Sequence, residues 1–331
     1  MFTLKRAISK AFLVLAAVLS LSQVNQAHAN PRYSSIVIDA DTGAVLHESN
    51  ADASRYPASL TKMMTLYMLF EAIEQRKMTL DTRMQVSAHS ASMPQTNIGL
   101  RAGDSISVRD AIPSLIVRSA NDVAAVVAES LGGSEANFGL MMTDKARKLG
   151  MHSTAFRNAS GLPNGEQKTT ARDLVTLSKR LMKDFPNQYH YFSTQSFSYK
   201  GTTYNSHNRM VRNTPGVDGL KTGFIRASGF NVATSAKRGD RRVIAVVMGG
   251  QTAVARDQHM AQLLDRSFNH GRTTQLASNN GNARAVPVAA LKTSASTPVP
   301  KPSPVAEKIP VHVEMRQIVQ PTVNVQSQKV A

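Results

Sequence analysis

The chain contains no cysteine and no tryptophan. Without thiols there is no disulfide framework, no thiolate nucleophile, no Cys-ligated zinc or iron–sulfur centre and no lipidated cysteine. Whatever chemistry the protein performs rests on hydroxyl, amine, carboxylate or imidazole groups. Acidic residues are scarce too: 22 Asp and Glu stand against 39 Lys and Arg, a formal charge of +17. With 331 residues, 42% of them hydrophobic and 18% charged, the composition is that of a globular chain of one large or two small domains.

The excess of positive charge would suggest nucleic acid if the chain stayed in the cytosol, but its first 29 residues read as an export signal. Lys5, Arg6 and Lys10 precede the apolar run 11–21, and Ala27-His28-Ala29 has the small-x-small pattern of a cleavage site. The apolar run is well short of the ~20 residues needed to cross a bilayer. The expected mature chain starts near Asn30, in the periplasm or cell envelope. Once the leader is removed, residues 30–270 hold 29 basic and 20 acidic residues, a net +9, and residues 271–331 hold seven and two, a net +5. An exported basic protein meets anionic envelope polymers and lipid head groups, and no basic-aromatic interleaving of the kind that stacks bases is present.

Three segments follow from composition: a leader (1–29), a folded region (30–270) and a tail (271–331). The tail has no aromatic residue and carries Thr297-Pro298-Val299-Pro300-Lys301-Pro302-Ser303-Pro304, an extended polyproline-like stretch. It is expected to be disordered or to carry a short surface-binding segment, with anionic envelope surfaces as its partner.

The folded region reads as strands, then helices, then strands. Residues 35–39 and 44–46 flank Asp41-Thr42-Gly43, a hairpin signal. Helical patterns cover 60–76, 123–131, 137–149, 171–183 and 256–268, and β patterns 194–199, 219–224, 229–235 and 242–248. An α+β fold is expected, with an antiparallel sheet built from both chain ends, flanking helices and an inserted helical subdomain.

None of the nine histidines sits in a GxSxG elbow or an HExxH pair, and there is no phosphate-binding glycine loop, so each histidine reads as a surface or packing residue. No metal and no cofactor are expected. A serine activated by lysine remains, and the chain has a single Ser-x-x-Lys, Ser59-Leu60-Thr61-Lys62, at the start of a helical run. On a first helical turn positions i and i+3 share a face, which brings Lys62 beside Ser59, and burial with the positive helix end would lower the lysine pKa. The alternative is an exposed cap serine with a solvated lysine. A single Lys-Thr-Gly, Lys221-Thr222-Gly223, lies in an expected strand, where the bare glycine would let a peptide lie close. Between these motifs Ser119-Ala120-Asn121 precedes a helix. Ser206-His207-Asn208 competes with it, while the other Ser-x-Asn serines, Ser267 and Ser278, fall in an expected helix and in the tail.

The three motifs in this order resemble the penicillin-recognising serine enzymes. With Pro57-Ala58-Ser59-Leu60-Thr61-Lys62-Met63-Met64, Arg118-Ser119-Ala120-Asn121-Asp122, Asn158-Ala159-Ser160-Gly161-Leu162-Pro163, Thr170-Ala171-Arg172-Asp173 and Gly216-Val217-Asp218-Gly219-Leu220-Lys221-Thr222-Gly223, residues 33–270 resemble the low-molecular-mass D-alanyl-D-alanine carboxypeptidases. The family's fold is a β-lactamase/transpeptidase-like antiparallel sheet with helices. Many members also carry a β-rich domain and an amphipathic C-terminal anchor, where this chain has its Pro-rich tail.

The resemblance implies a serine peptidase that trims the terminal D-alanine from peptidoglycan stem peptides and is acylated by β-lactams. It implies Ser59 as nucleophile, Lys62 as its base and Ser119 as proton donor to the leaving amine. Asn121 would orient Lys62 and the peptide, and Lys221, Thr222, Gly223 and Arg256 would bind substrate and its carboxylate. The backbone N–H groups of Ser59 and Phe224 would form the oxyanion hole. The rival activities are DD-endopeptidase action on crosslinks and noncatalytic envelope binding. A β-lactamase is disfavoured, since Glu129, Glu135 and Glu166 all lack a Glu-x-x-Leu-Asn context.

Overall fold

The structure, a computed structural model, describes residues 30–279, with side chains described through 269. The leader and the Pro-rich stretch lie outside the described residues. Five antiparallel strands form the main sheet: β1 (Ser34–Asp39), β2 (Val45–Ser49), β7 (Val217–Ile225), β8 (Gly229–Arg238) and β9 (Arg241–Gly250). Their order is β2-β1-β9-β8-β7, so the first strand pairs with the last, from Ser34 opposite Met248 to Asp39 opposite Val243. This is the α+β sheet expected from the sequence, built from both ends of the folded region.

Period-two alternation divides the core between the two faces of the sheet. Val37, Val243, Ala245 and Val247 point to one face and pack with Met260, Leu263 and Leu264 of α8 (Ala253–Asn279). Ile36, Ile38, Ile244, Val246 and Met248 point to the other, joining a larger core with helices α1 (Lys62–Glu74), α4 (Asn121–Gly132), α5 (Glu135–Lys148) and α6 (Ala171–Asp184). Helix α1 is buried from Lys62 through Phe70. An apolar sequence such as Lys-Met-Met-Thr-Leu-Tyr-Met-Leu-Phe suits a helix enclosed on all sides. Shorter elements complete the helical subdomain: β3 (Arg83–Gln85) with β4 (Ser105–Ser107), α2 (Ala88–Ala91) and α3 (Val108–Pro113). The hairpin β5 (Ser196–Tyr199) and β6 (Thr202–Asn205) and the turn α7 (Met210–Asn213) lead into β7.

Two boundaries differ from expectation. The helix read at 60–76 divides into a 3-10 turn, Ala58–Thr61, and α1, so Ser59 lies before the α-helix and Lys62 is its first residue. Helix α8 runs to Asn279, past the tail boundary at 271, because Gly271–Asn279 has one glycine and no proline to interrupt the ladder. No helix among the described residues is long and apolar enough to cross a membrane.

Candidate active site

A groove of about 410 Å³ lies between the edge strand β7 and the helical subdomain, with Ser59, Ser119, Asn121, Thr222, Phe224 and Arg256 in its wall. Ser59 is presented by the 3-10 turn. In that geometry side chains at i and i+3 eclipse, so Ser-x-x-Lys brings its two ends together more directly than an α-helical turn would. Lys62 Nζ is 3.3 Å from Ser59 Oγ, 2.7 Å from Asn121 Oδ1 and 2.6 Å from the carbonyl oxygen of Ser160. Lys62 is fully buried, which overturns the alternative of a solvated lysine.

Burial first, and then the nearby ammonium of Lys221, holds the Lys62 pKa well below the ordinary lysine value. Asp122 and Glu135 act in the opposite direction. A neutral amine has two N–H groups and one lone pair. Asn121 Oδ1 and the Ser160 carbonyl are acceptors that take the two N–H groups, which leaves the lone pair for the Ser59 hydroxyl. The Asn121 amide is oriented for this, since its Nδ2 donates to Pro94 O at 2.9 Å and so turns Oδ1 towards Lys62.

Ser119 follows a π-helical turn, Ser114–Arg118, that begins after Pro113. Proline has no N–H to continue the α-helical ladder, and a widened turn accommodates the break. The turn ends on Ser119 at φ 60°, a left-handed conformation that costs energy for a residue with a Cβ. Its hydroxyl is buried and has no hydrogen-bond partner within the protein. In the competing motif the Ser206 hydroxyl accepts from its own Asn208 N–H at 3.1 Å, and it is Asn121 of the Ser119 motif that meets Lys62.

On β7, Lys221 is buried and donates to the carbonyl of Thr222 at 2.9 Å. Burial, reinforced by the Arg256 guanidinium, lowers its pKa to about 7. Arg256 on α8 is also buried; it donates to Asn231 O at 2.9 Å and to Asp257 Oδ1 at 2.6 Å and 3.0 Å. As an edge strand β7 is paired on one side only, leaving alternate backbone groups open towards the groove. Phe224 is 52% exposed there and stacks on Phe230, with ring centroids 4.3 Å apart.

Gly223, which lines the groove, has a steric reason beyond the one expected. A Cβ at this position would lie 2.8 Å from Ser59 N and 3.1 Å from Leu60 N, so the bare backbone makes room for the turn that presents Ser59. Gly161, at φ +87°, does the same from the other side, where a Cβ would fall 1.9 Å from Ala58 O.

Sequence reasoning missed three contributors. The Ser160 carbonyl is a backbone group without a residue signature, although Asn158–Pro163 stood in a recognised segment. His207, read as a surface or packing residue, is exposed and stands in the groove wall. Desolvation by the surrounding groove wall, although the ring keeps solvent access, and then the cations Lys221, Arg118 and Lys62 lower its pKa to about 4. Asn231 is buried, donates to Tyr56 O and Pro57 O, accepts from Gly249 N, and so ties the turn before Ser59 to the sheet.

A family model described as D-alanyl-D-alanine carboxypeptidase matches residues 22–252. The chain is 33% identical over 260 residues to D-alanyl-D-alanine carboxypeptidase DacF of Bacillus subtilis, covering 77% of this chain and 67% of that protein. It is 36% identical over 248 residues to DacD of Escherichia coli, covering 73% and 64%. It therefore spans about two thirds of the length of these relatives. Among solved structures, penicillin binding protein 6B from Escherichia coli superposes with a TM-score of 0.67 at 36% identity, covering 70% of this chain and 76% of that one. Penicillin-Binding Protein D2 from Listeria monocytogenes, solved in an ampicillin-bound form, gives 0.62 at 31%, covering 71% and 96%. With a model match across most of its length and relatives at this identity, the chain belongs to the D-alanyl-D-alanine carboxypeptidase family of low-molecular-mass penicillin-binding proteins.

Proposed function

We propose that the chain is a serine D-alanyl-D-alanine carboxypeptidase that removes the terminal D-alanine from peptidoglycan stem peptides through an acyl-Ser59 intermediate. The observation that carries this reading is the buried Lys62, whose two carbonyl-type acceptors leave its lone pair to the Ser59 hydroxyl at 3.3 Å. Ser59 Oγ attacks the carbonyl carbon of the penultimate D-alanine as its proton passes to Lys62. The oxyanion forms against the backbone N–H groups of Ser59 and Phe224. Collapse breaks the peptide C–N bond; the departing amine takes its proton through Ser119, whose otherwise unpartnered hydroxyl suits a transient donor. Water then attacks the ester, its proton goes to Lys62, and Ser59 is released.

Lys221, Thr222 and Arg256 receive the substrate's free carboxylate. Their concentration of positive charge in a buried wall favours a chain end over a mid-chain peptide, and hence carboxypeptidase over endopeptidase action. β-Lactams acylate the same serine. The reading extends to an exported protein whose leader is cleaved after about Ala29 and whose basic tail meets anionic envelope surfaces.

Labelling with a fluorescent penicillin tests the core of this reading. A covalent adduct is expected on the wild type and none on Ser59→Ala; an unlabelled wild type, or a labelled variant, would reject it. D-Alanine release from a pentapeptide, measured beside cleavage of a crosslinked dimer, ranks the two peptidase activities. Cleavage of the dimer alone would reject the carboxypeptidase assignment.

A further inference from the structure

The Ser160 carbonyl that accepts from Lys62 is not placed by its own loop alone. One face of α5 grips the segment leading to it at three positions spaced by four residues, Glu135, Gly139 and Thr143. Thr143 Oγ1 accepts from Phe156 N at 2.9 Å and lies 3.1 Å from Phe156 O. Gly139 packs so closely that a Cβ there would lie 2.9 Å from the carbonyl carbon of Arg157. Glu135, at the end nearest the groove, accepts from Ala159 N at 3.0 Å through Oε1, while its Oε2 meets His89 Nε2 at 2.9 Å. Thr65, one turn along α1 from Lys62, donates to the Ala159 carbonyl at 2.7 Å. The two peptide groups of Ala159 are thus held from opposite sides, immediately before the carbonyl that receives Lys62 at 2.6 Å.

We propose that Glu135 is a positioning residue for Lys62, acting through the Ala159–Ser160 peptide while keeping a negative charge behind the base. This rests on the reading of Lys62 as the base of Ser59. The carboxylate touches neither substrate nor the reacting atoms. Its hydrogen bond fixes where one Lys62 N–H must point, and therefore where the lone pair points. Its charge favours the protonated amine, as does Asp122 on α4, against Lys221 on β7. His89 on α2 is the titratable group paired with the Glu135 carboxylate itself.

Two variants separate placement from charge. Glu135→Asp keeps the charge but is one methylene too short to reach both Ala159 N and His89. Glu135→Gln keeps an acceptor for Ala159 and removes the charge. The readout is the rate of acylation by a chromogenic β-lactam as a function of pH, with thermal unfolding run alongside. For Glu135→Asp the plateau rate is expected to fall roughly tenfold, with the acid limb unmoved. For Glu135→Gln the acid limb is expected to move down by about half a pH unit, making the variant about threefold faster than wild type below the midpoint.

A wild-type plateau in Glu135→Asp, or an unmoved limb in Glu135→Gln, overturns the proposal. If Lys62→Met acylates at the wild-type rate, the base assignment itself has failed. If Lys62→Met is inactive while both Glu135 variants match the wild type, only the role of Glu135 has failed.

Discussion

Cations are handled in opposite ways on the outer surface and in the groove. Arg172, exposed at the start of α6, is held by Glu48 at 2.6 Å and by Asp52 at 2.7 Å and 2.9 Å. Arg238 pairs with Asp265, and Arg242 with Asp218, each at 2.7 Å. In the groove wall, Lys62 donates to a side-chain amide and a backbone carbonyl and lies 3.3 Å from the Ser59 hydroxyl, and Lys221 donates to a backbone carbonyl. None of those hydrogen bonds reaches a carboxylate. Arg256 is intermediate, sharing its charge with Asp257 and a backbone oxygen. Neutral oxygens fix the Lys221 ammonium in place without cancelling its charge, whereas at Lys62 the same kind of acceptor leaves a neutral amine its lone pair. That arrangement costs stability, because a buried cation without a counter-charge is poorly solvated.

The sharpest way to break the comparison is to remove Lys62, the proposed base. Lys62→Met is expected to lower the rate of penicillin acylation about 10³-fold, read by single-turnover kinetics, with the fold retained. Next comes Lys221→Met, for which kcat/KM on a D-alanyl peptide should fall about 100-fold, a loss concentrated in recognition of the carboxylate. The same variant tests the stability cost. With its folded pKa near 7 and its ordinary value at 10.5, Lys221 leaves the unfolded chain holding more protons between those limits, so wild-type stability rises with pH across that window. The Met variant should therefore melt above the wild type at pH 6, and the gap should narrow as pH rises towards 10. A gap independent of pH would assign the effect to packing.

A steric change has a smaller expected effect. Gly223→Ala pushes a methyl group towards Ser59 N and should cost about 1–3 kcal/mol, measured by thermal unfolding, with acylation slowed as the nucleophile's turn shifts. The least effect belongs to the surface. Arg172→Ala removes an exposed charge from two carboxylates and should cost less than about 1 kcal/mol, still less at high salt, with acylation unchanged.

What could be read in advance followed from side-chain identity and periodicity. The hairpin signal around Asp41-Thr42-Gly43 and the β patterns of β8 and β9 announced a sheet, and the pattern at 60–76 announced a helix, though not that α1 would be enclosed on all sides. Ser59 and Lys62 were legible as a spaced pair, and Asn121 and Lys221 as members of short motifs. Short elements escaped: β6 is four residues of Thr, Tyr and Asn, with no apolar alternation to mark it. The 3-10 character of Ala58–Thr61 escaped as well, because it depends on Gly161 and Gly223 pressing the turn from outside. The Ser160 carbonyl and the Glu135 contact to Ala159 N were invisible for a related reason. They are made by backbone groups whose placement is settled by tertiary packing, and no residue type encodes that.

The two glycines also bear on the order in which the site is assembled. Ser59, Lys62, Ser119 and Asn121 are all present once the first 121 residues have been made, yet the turn that presents Ser59 is bounded by residues 161 and 223, and the sheet beneath it closes only when β9 pairs with β1. A partly synthesised or unfolded chain holds most of the reactive groups but lacks the walls that aim them. On the proposed mechanism, activity would arrive only with the last strands of the fold, and a nascent chain would stay inert until its own architecture is complete.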